Sequence, residues 1–189
     1  MHAAAVWLRE VRARVPGIEI DWRYFSLEQI NQRAGEGVLV WSKPEGYDSP
    51  GLPAFAVAEA ARRQNRPEAW DKLHHALLDT RHTGKKETLT REVTERLAEE
   101  AGFDMQRLRA DLDDPTILDR LVEQHAEAVA EGVFGTPTLF FENGASGFLK
   151  MMPPPTGDQA VRAWERVRGL LAEESTIAEI KRPRKPKTA

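Results

Sequence analysis

Apolar residues recur at helical spacing near the start of the chain. Trp7, Leu8, Val11 and Val15 share one side of residues 3–15, with Arg9, Glu10, Arg12 and Arg14 opposite, which predicts a helix. Pro16-Gly17 ends it. Residues 18–25, IEIDWRYF, then alternate. Ile18, Ile20, Trp22 and Tyr24 fall on one face and Glu19, Asp21 and Arg23 on the other, a period of two that predicts a strand. Ser26, with Gln29 three residues on, predicts a capped turn of helix. From Gly35 to Pro53 the chain turns to Gly, Pro, Ser and Asp, with Trp41 and Tyr47 embedded, and reads as a long loop.

Residues 54–130 read almost wholly as helix. AFAVAEAARRQ is followed by Asn65, expected to cap the next helix, with Pro67 near its start. A third helix, TLTREVTERLAEEA, ends at Gly102. Asp104 caps a fourth, and Asp114-Pro115 opens a fifth that stops at Gly132. A strand at 138–142, a turn at Asn143-Gly144 and a weaker strand at about 147–152 make a hairpin. Thr156, with Gln159 three residues on, is expected to cap a last helix over 157–174.

This order predicts one α/β sheet interrupted by a helical insertion. The expected divisions are 1–50 and 131–176 for the two parts of the sheet domain, 51–130 for the insertion and 177–189 for a basic tail.

Composition narrows the function. With 41% apolar and 30% charged residues, the 189-residue chain can build a core and reads as soluble. No run of about 18 apolar residues exists, so no membrane partner is expected. The first residues lack the basic start of a signal peptide, so a cytoplasmic location is expected. Net charge is -3, yet the last nine residues carry five positive charges. That tail is short and broken by prolines on an acidic body, so it reads as solvated, and no nucleic-acid partner is expected.

There is no cysteine, which excludes disulfides, thiolate metal sites and a cysteine nucleophile within these residues. His75 and His82 share a helical face, but no HExxH spacing occurs among the five histidines. They read as surface or insertion-groove histidines, with no metal. GASG at 144–147 lacks the context of a phosphate loop, so no cofactor is expected. Trp7, Trp22, Trp70 and Trp164 read as core. Trp41 either anchors its loop or meets a hydrophobic substrate. Glu45 and Asp48 form no recognisable acid–base pair.

One stretch stands apart. In EGVFGTPTLFF, residues 131–141, a proline opens a very apolar strand. Proline has no N–H for a ladder and is confined to strand starts, edges and bulges. With WLREV and IEIDWRYFSLEQIN, the segment EGVFGTPTLFFENG resembles the DsbA-like branch of the thioredoxin fold, over nearly the whole chain. The group includes cytoplasmic dithiol oxidoreductases, mycothiol-dependent nitroreductases and, more distantly, 2-hydroxychromene-2-carboxylate isomerases and kappa-class glutathione transferases. The resemblance implies a thioredoxin-like fold with an all-helical insertion and a thiol or disulfide substrate, protein or low-molecular-weight. It also implies a cis Thr136-Pro137 bond, with the Thr136 backbone pairing an extended substrate or thiol tripeptide. Val133 and Gly135 would shape that loop.

The chain departs from this pattern at its start. Family members carry a strand and a Cys-Pro-x-Cys-type loop ahead of the helix that here is 3–15. Met1 stands about where the second active-site position would be, and neither that strand nor the attacking cysteine is encoded. Without a thiolate these residues should have no dithiol redox activity. The strand would lie between 18–25 and 138–142, and its absence leaves two rows of backbone groups to satisfy. The two strands could pair directly, a second chain could fill the gap in a homodimer, or the natural protein could be longer, with Met1 internal. Three functions stay open: a shortened thiol oxidoreductase, a non-catalytic peptide- or thiol-binding module, and a glutathione-dependent isomerase or transferase.

Overall fold

The computed structural model describes residues 1–31, 39–42, 49–84 and 87–180. Its first helix, α1 (His2–Arg12), forms from the Ala-rich start and turns Ala5, Trp7, Leu8 and Val11 inward. Residues 18–25 then run extended. Their alternation holds, with Ile18, Ile20 and Trp22 partly buried and Glu19, Asp21 and Arg23 exposed. Among the described residues they pair with no other strand. Among the described residues the sheet is a two-stranded antiparallel hairpin, β1 (Thr138–Phe140) and β2 (Ser146–Phe148), with Leu139 opposite Gly147. The segment expected as a strand at 18–25 keeps its alternation but joins no ladder among the described residues; hydrogen bonds to its backbone come from side chains of Arg62 and Gln124 instead. Both hairpin strands are shorter than predicted.

Between them lies the helical block. It comprises α2 (Leu27–Ile30), α3 (Leu52–Arg62), α4 (Pro67–His82), α5 (Arg91–Ala101), α6 (Met105–Leu112) and α7 (Thr116–Ala130). Val57, Leu73, Leu97, Leu108, Ile117 and Leu121 form its core. Each such side chain contributes about 1.5–3 kcal/mol on burial. α5 ends at Gly102, whose φ of 97° lies where an L side chain is strained. Asp104 caps α6 by accepting from the amides of Gln106 and Arg107 at 2.9 and 3.1 Å.

A second, smaller core joins the two ends of the chain. Trp7, Leu8, Val11 and Ala160 pack with Ile18, Ile20, Leu139 and Trp164. The indole of Trp7 donates to the carbonyl of Ala160 in α8 (Gly157–Arg168) at 2.9 Å. α8 runs into a π-helical turn at Gly169–Glu173.

Three caps differ from expectation. Asn65 takes φ 50° and donates its amide to Arg62, so it closes α3 and does not cap α4. Ser26 accepts from the Gln29 amide at 3.1 Å, but the Gln29 side chain turns to the Val40 amide and does not reach back. Thr156 stands at the N-cap of α8 without a side-chain bond; the Gly157 amide donates to Glu10 instead. Tyr47, Glu45, Asp48 and the positive charges of the tail lie outside the described residues.

Candidate functional site

A groove of about 1100 Å³ separates residues 18–25 from the loop and strand at 135–141. The two extended segments have not closed on each other. Leu8 of α1 and Trp164 of α8 line it from below, and Gln124 and Ala128 of α7 from the insertion side. Met1, at the start of α1, also lines it. Burial, then the charge of Lys150, holds the amino group of Met1 below its ordinary pKa of 8.0.

One wall is the loop singled out in the sequence. α7 stops at Gly132, whose φ of 79° reverses the chain, and the Val133 amide bonds back to Ala128 at 2.9 Å. Val133, Gly135 and Pro137 are buried and Thr136 is half-buried. All four line the groove, so the structure brings the predicted substrate-binding residues together. The Thr136–Pro137 peptide bond is cis. Thr138 Oγ1 donates to the Gly135 carbonyl at 2.8 Å, tying the loop to β1. Gly135 packs closely: a Cβ there would sit 3.1 Å from the Phe148 ring, a tight contact that the ring would have to yield to. Phe134 stands 70% exposed, 5.2 Å from Phe148 between ring centres.

The opposite wall, residues 18–25, is held by side chains of the insertion. Arg62 of α3 donates to the carbonyl of Trp22. The amide of Tyr24 donates to Gln124 Oε1 at 3.1 Å, and that of Ser26 to His125 Nδ1 at 3.2 Å. Arg62 also lies 4.3 Å over the Trp70 ring and 5.7 Å over Tyr24. Burial pushes the Tyr24 phenol well above its usual range.

The histidines correct the sequence reading. His74, His75 and His125 are buried, not superficial. His74 stacks on Trp70 at 5.0 Å and meets Trp22 at 4.4 Å. Burial, reinforced by His75, lowers its pKa to about 3. Burial also lowers His75 and His125. A neutral His125 is what the Ser26 amide requires as acceptor. Trp41 packs edge-on against His125, 5.0 Å between ring centres, which fits its anchoring role. No three metal-ligating side chains gather among the described residues. No helix among them is long and apolar enough to cross a membrane.

Sequence reasoning missed Arg62, Gln124 and His125. The available signal was polar residues on inward faces: Gln124 and His125 follow Leu121 at helical spacing, where apolar residues would ordinarily stand.

Residues 2–157 match the DSBA-like thioredoxin domain. The chain belongs to this family. An uncharacterised protein of Mycobacterium tuberculosis, Rv2286c, is 34% identical over 185 residues, which cover 98% of this chain and 77% of that protein. A Na(+)/H(+) antiporter, NhaA, of Herminiimonas arsenicoxydans is 41% identical over 91 residues, 48% of this chain but 14% of the antiporter. Family membership fits an α/β fold with a helical insertion and a family of thiol–disulfide oxidoreductase type. It leaves the missing sulfur as the feature to explain, since residues 1–189 contain no cysteine.

Proposed function

We propose that these residues bind an extended, thiol- or disulfide-bearing substrate beside Thr136 and Pro137, as the binding part of a thiol–disulfide oxidoreductase. The observation that supports this reading is the convergence of Val133, Gly135, Thr136 and Pro137 on one wall of an open groove. Pro137 offers no N–H, so the backbone of Thr136 is the group available to an added strand.

The chemistry of such exchange is simple to balance. A thiolate attacks one substrate sulfur, a new S–S bond forms and the old one breaks, and the departing sulfur leaves as thiolate and takes up a proton. A second thiol then releases the mixed disulfide. Residues 1–189 supply neither sulfur. They bind and orient, and turnover requires a thiol presented at the groove. The start of α1 is the natural place, since it opens on the groove at Met1 and the free N–H groups of a helix start favour a thiolate.

Binding without catalysis is the second reading, favoured by the absence of any cysteine. The two separate in one experiment. A strand ending in cysteine is fused ahead of Met1 and assayed for disulfide reduction, against the same fusion ending in serine. Activity in the cysteine form alone supports the oxidoreductase reading. A folded but inactive cysteine form leaves binding as the function.

A further inference from the structure

The hairpin spends only alternate backbone groups on itself. Leu149 donates to Pro137 at 3.0 Å and Phe141 to Ala145 at 2.9 Å, and Leu139 stands opposite Gly147 in the same register. In an antiparallel pair the N–H and C=O of the residues between such bonded pairs point away from the partner strand. Those of Ser146, Phe148 and Lys150 therefore project from the outer edge of β2. Among the described residues no strand pairs with that edge.

The register also sets the faces. Leu139 packs in the smaller core, and Gly147 opposite it lies against Leu171. Ser146, Phe148 and Lys150 occupy the other face and are exposed. Phe148 is 41% exposed there, with the 70% exposed ring of Phe134 beside it. Open edges are ordinarily blunted by proline, charge or a cover. Residues 146–149, Ser-Gly-Phe-Leu, carry no proline and no charge, and an aromatic pair sits at their edge.

We propose that the outer edge of β2 is the interface for a second copy of this chain. The two edges run antiparallel about a two-fold axis at Phe148, so the Phe148 residues of the two copies exchange both backbone bonds. The charge pattern selects this axis. An axis at Lys150 would set two like charges opposite each other, and one at Ser146 would set Phe148 against the turn at Gly144. With the axis at Phe148, Lys150 of each copy faces Ser146 of the other, and neither is repelled. Phe134 and Phe148 of both copies gather into one cluster and leave water together. The groove lies beyond β1, on the far side of each hairpin, so pairing leaves both grooves open. The dimer needs no thiol and stands apart from the proposed function.

The test uses the full chain. Sedimentation equilibrium is combined with amide exchange of nitrogen-15-labelled protein over a range of concentrations. The expected result is a dimer of the 21.3 kDa chain. As it forms, exchange slows at Ser146, Phe148 and Lys150 and stays unchanged at Gly147 and Leu149, which bond within the hairpin. Charge then tests the register. Ser146→Glu places a carboxylate opposite Lys150 twice per dimer and tightens it by about threefold or more, and Ser146→Lys loosens it by as much. The Ser146 side chain is exposed, so both variants fold. A monomer at the concentrations of the nitrogen-15 spectra overturns the inference. Equal effects of the two Ser146 variants overturn it as well. So does a dimer that protects Thr138 and Phe140 instead, which would put the second copy in the groove.

Discussion

The side chain of Gln124 accepts the backbone amide of Tyr24 at 3.1 Å, joining residues 100 apart in sequence. This bond fixes the insertion to the sheet segment and sets which edge of that segment stays open. Replacing Gln124 with Leu leaves a buried N–H without a partner. The expected cost is about 1–3 kcal/mol. Urea unfolding would register the loss, and amide exchange should quicken at Tyr24 ahead of its neighbours.

Arg62 makes a second such link, and its shape matters as much as its charge. It donates to Trp22 while its plane covers Trp70. A lysine keeps the charge but cannot stack and donate in that geometry. Arg62→Lys should therefore cost about 1–2 kcal/mol, from a lost bond and a weakened ring contact. Arg62→Ala should cost more. A lysine variant as stable as the parent would show that charge alone suffices.

These links mark the limit of what the sequence made legible. Helices with strong periodicity, such as α1 and α7, could be read directly, and so could the apolar alternation of residues 18–25. Whether an alternating segment finds a partner depends on a neighbour far along the chain, and no local pattern reports it. The loop at Val133–Pro137 was legible through its resemblance to the family's proline-loop segment; the local sequence by itself offered only a proline ahead of an apolar strand. Gln124 and His125 were not, because a polar residue on an inward face looks like a flaw until its acceptor role is seen. Asn65 shows the converse: a residue suited to capping was needed to end the previous helix.

The buried histidines set a pH dependence. Folding holds His74 to about 3 and lowers His75 and His125 from 6.5. The unfolded chain thus binds more protons than the folded chain between those values. The contribution of His74 is fully present above about pH 6.5 and falls by up to about 1.4 kcal/mol per pH unit below it, and His75 and His125 act in the same direction. Thermal melts from pH 7.5 to 5 should show a steady loss. His74→Phe, which keeps the stack and removes one titration, should flatten the slope. An unchanged slope in that variant would assign the effect elsewhere.

Gly147 packs against the turn that follows α8. A Cβ there would lie 2.6 Å from Leu171 Cδ2 and 3.2 Å from its Cγ. Gly147→Ala should cost about 1–3 kcal/mol by overpacking. Adding Leu171→Ala should recover part of that loss, so the two changes together cost less than their sum. Simple additivity in a denaturation cycle would mean the contact is not the cause.

The most direct test of the account is the reactivity of a cysteine presented at the groove. A strand of alternating apolar residues ending in one cysteine is fused ahead of Met1, and the thiol is titrated by the pH dependence of its alkylation. The account predicts a thiol well below its ordinary value of about 8.5, reduction of a peptide disulfide, and weaker substrate binding when Pro137→Ala is introduced. A folded fusion whose thiol titrates near 8.5 and exchanges no disulfide would contradict it.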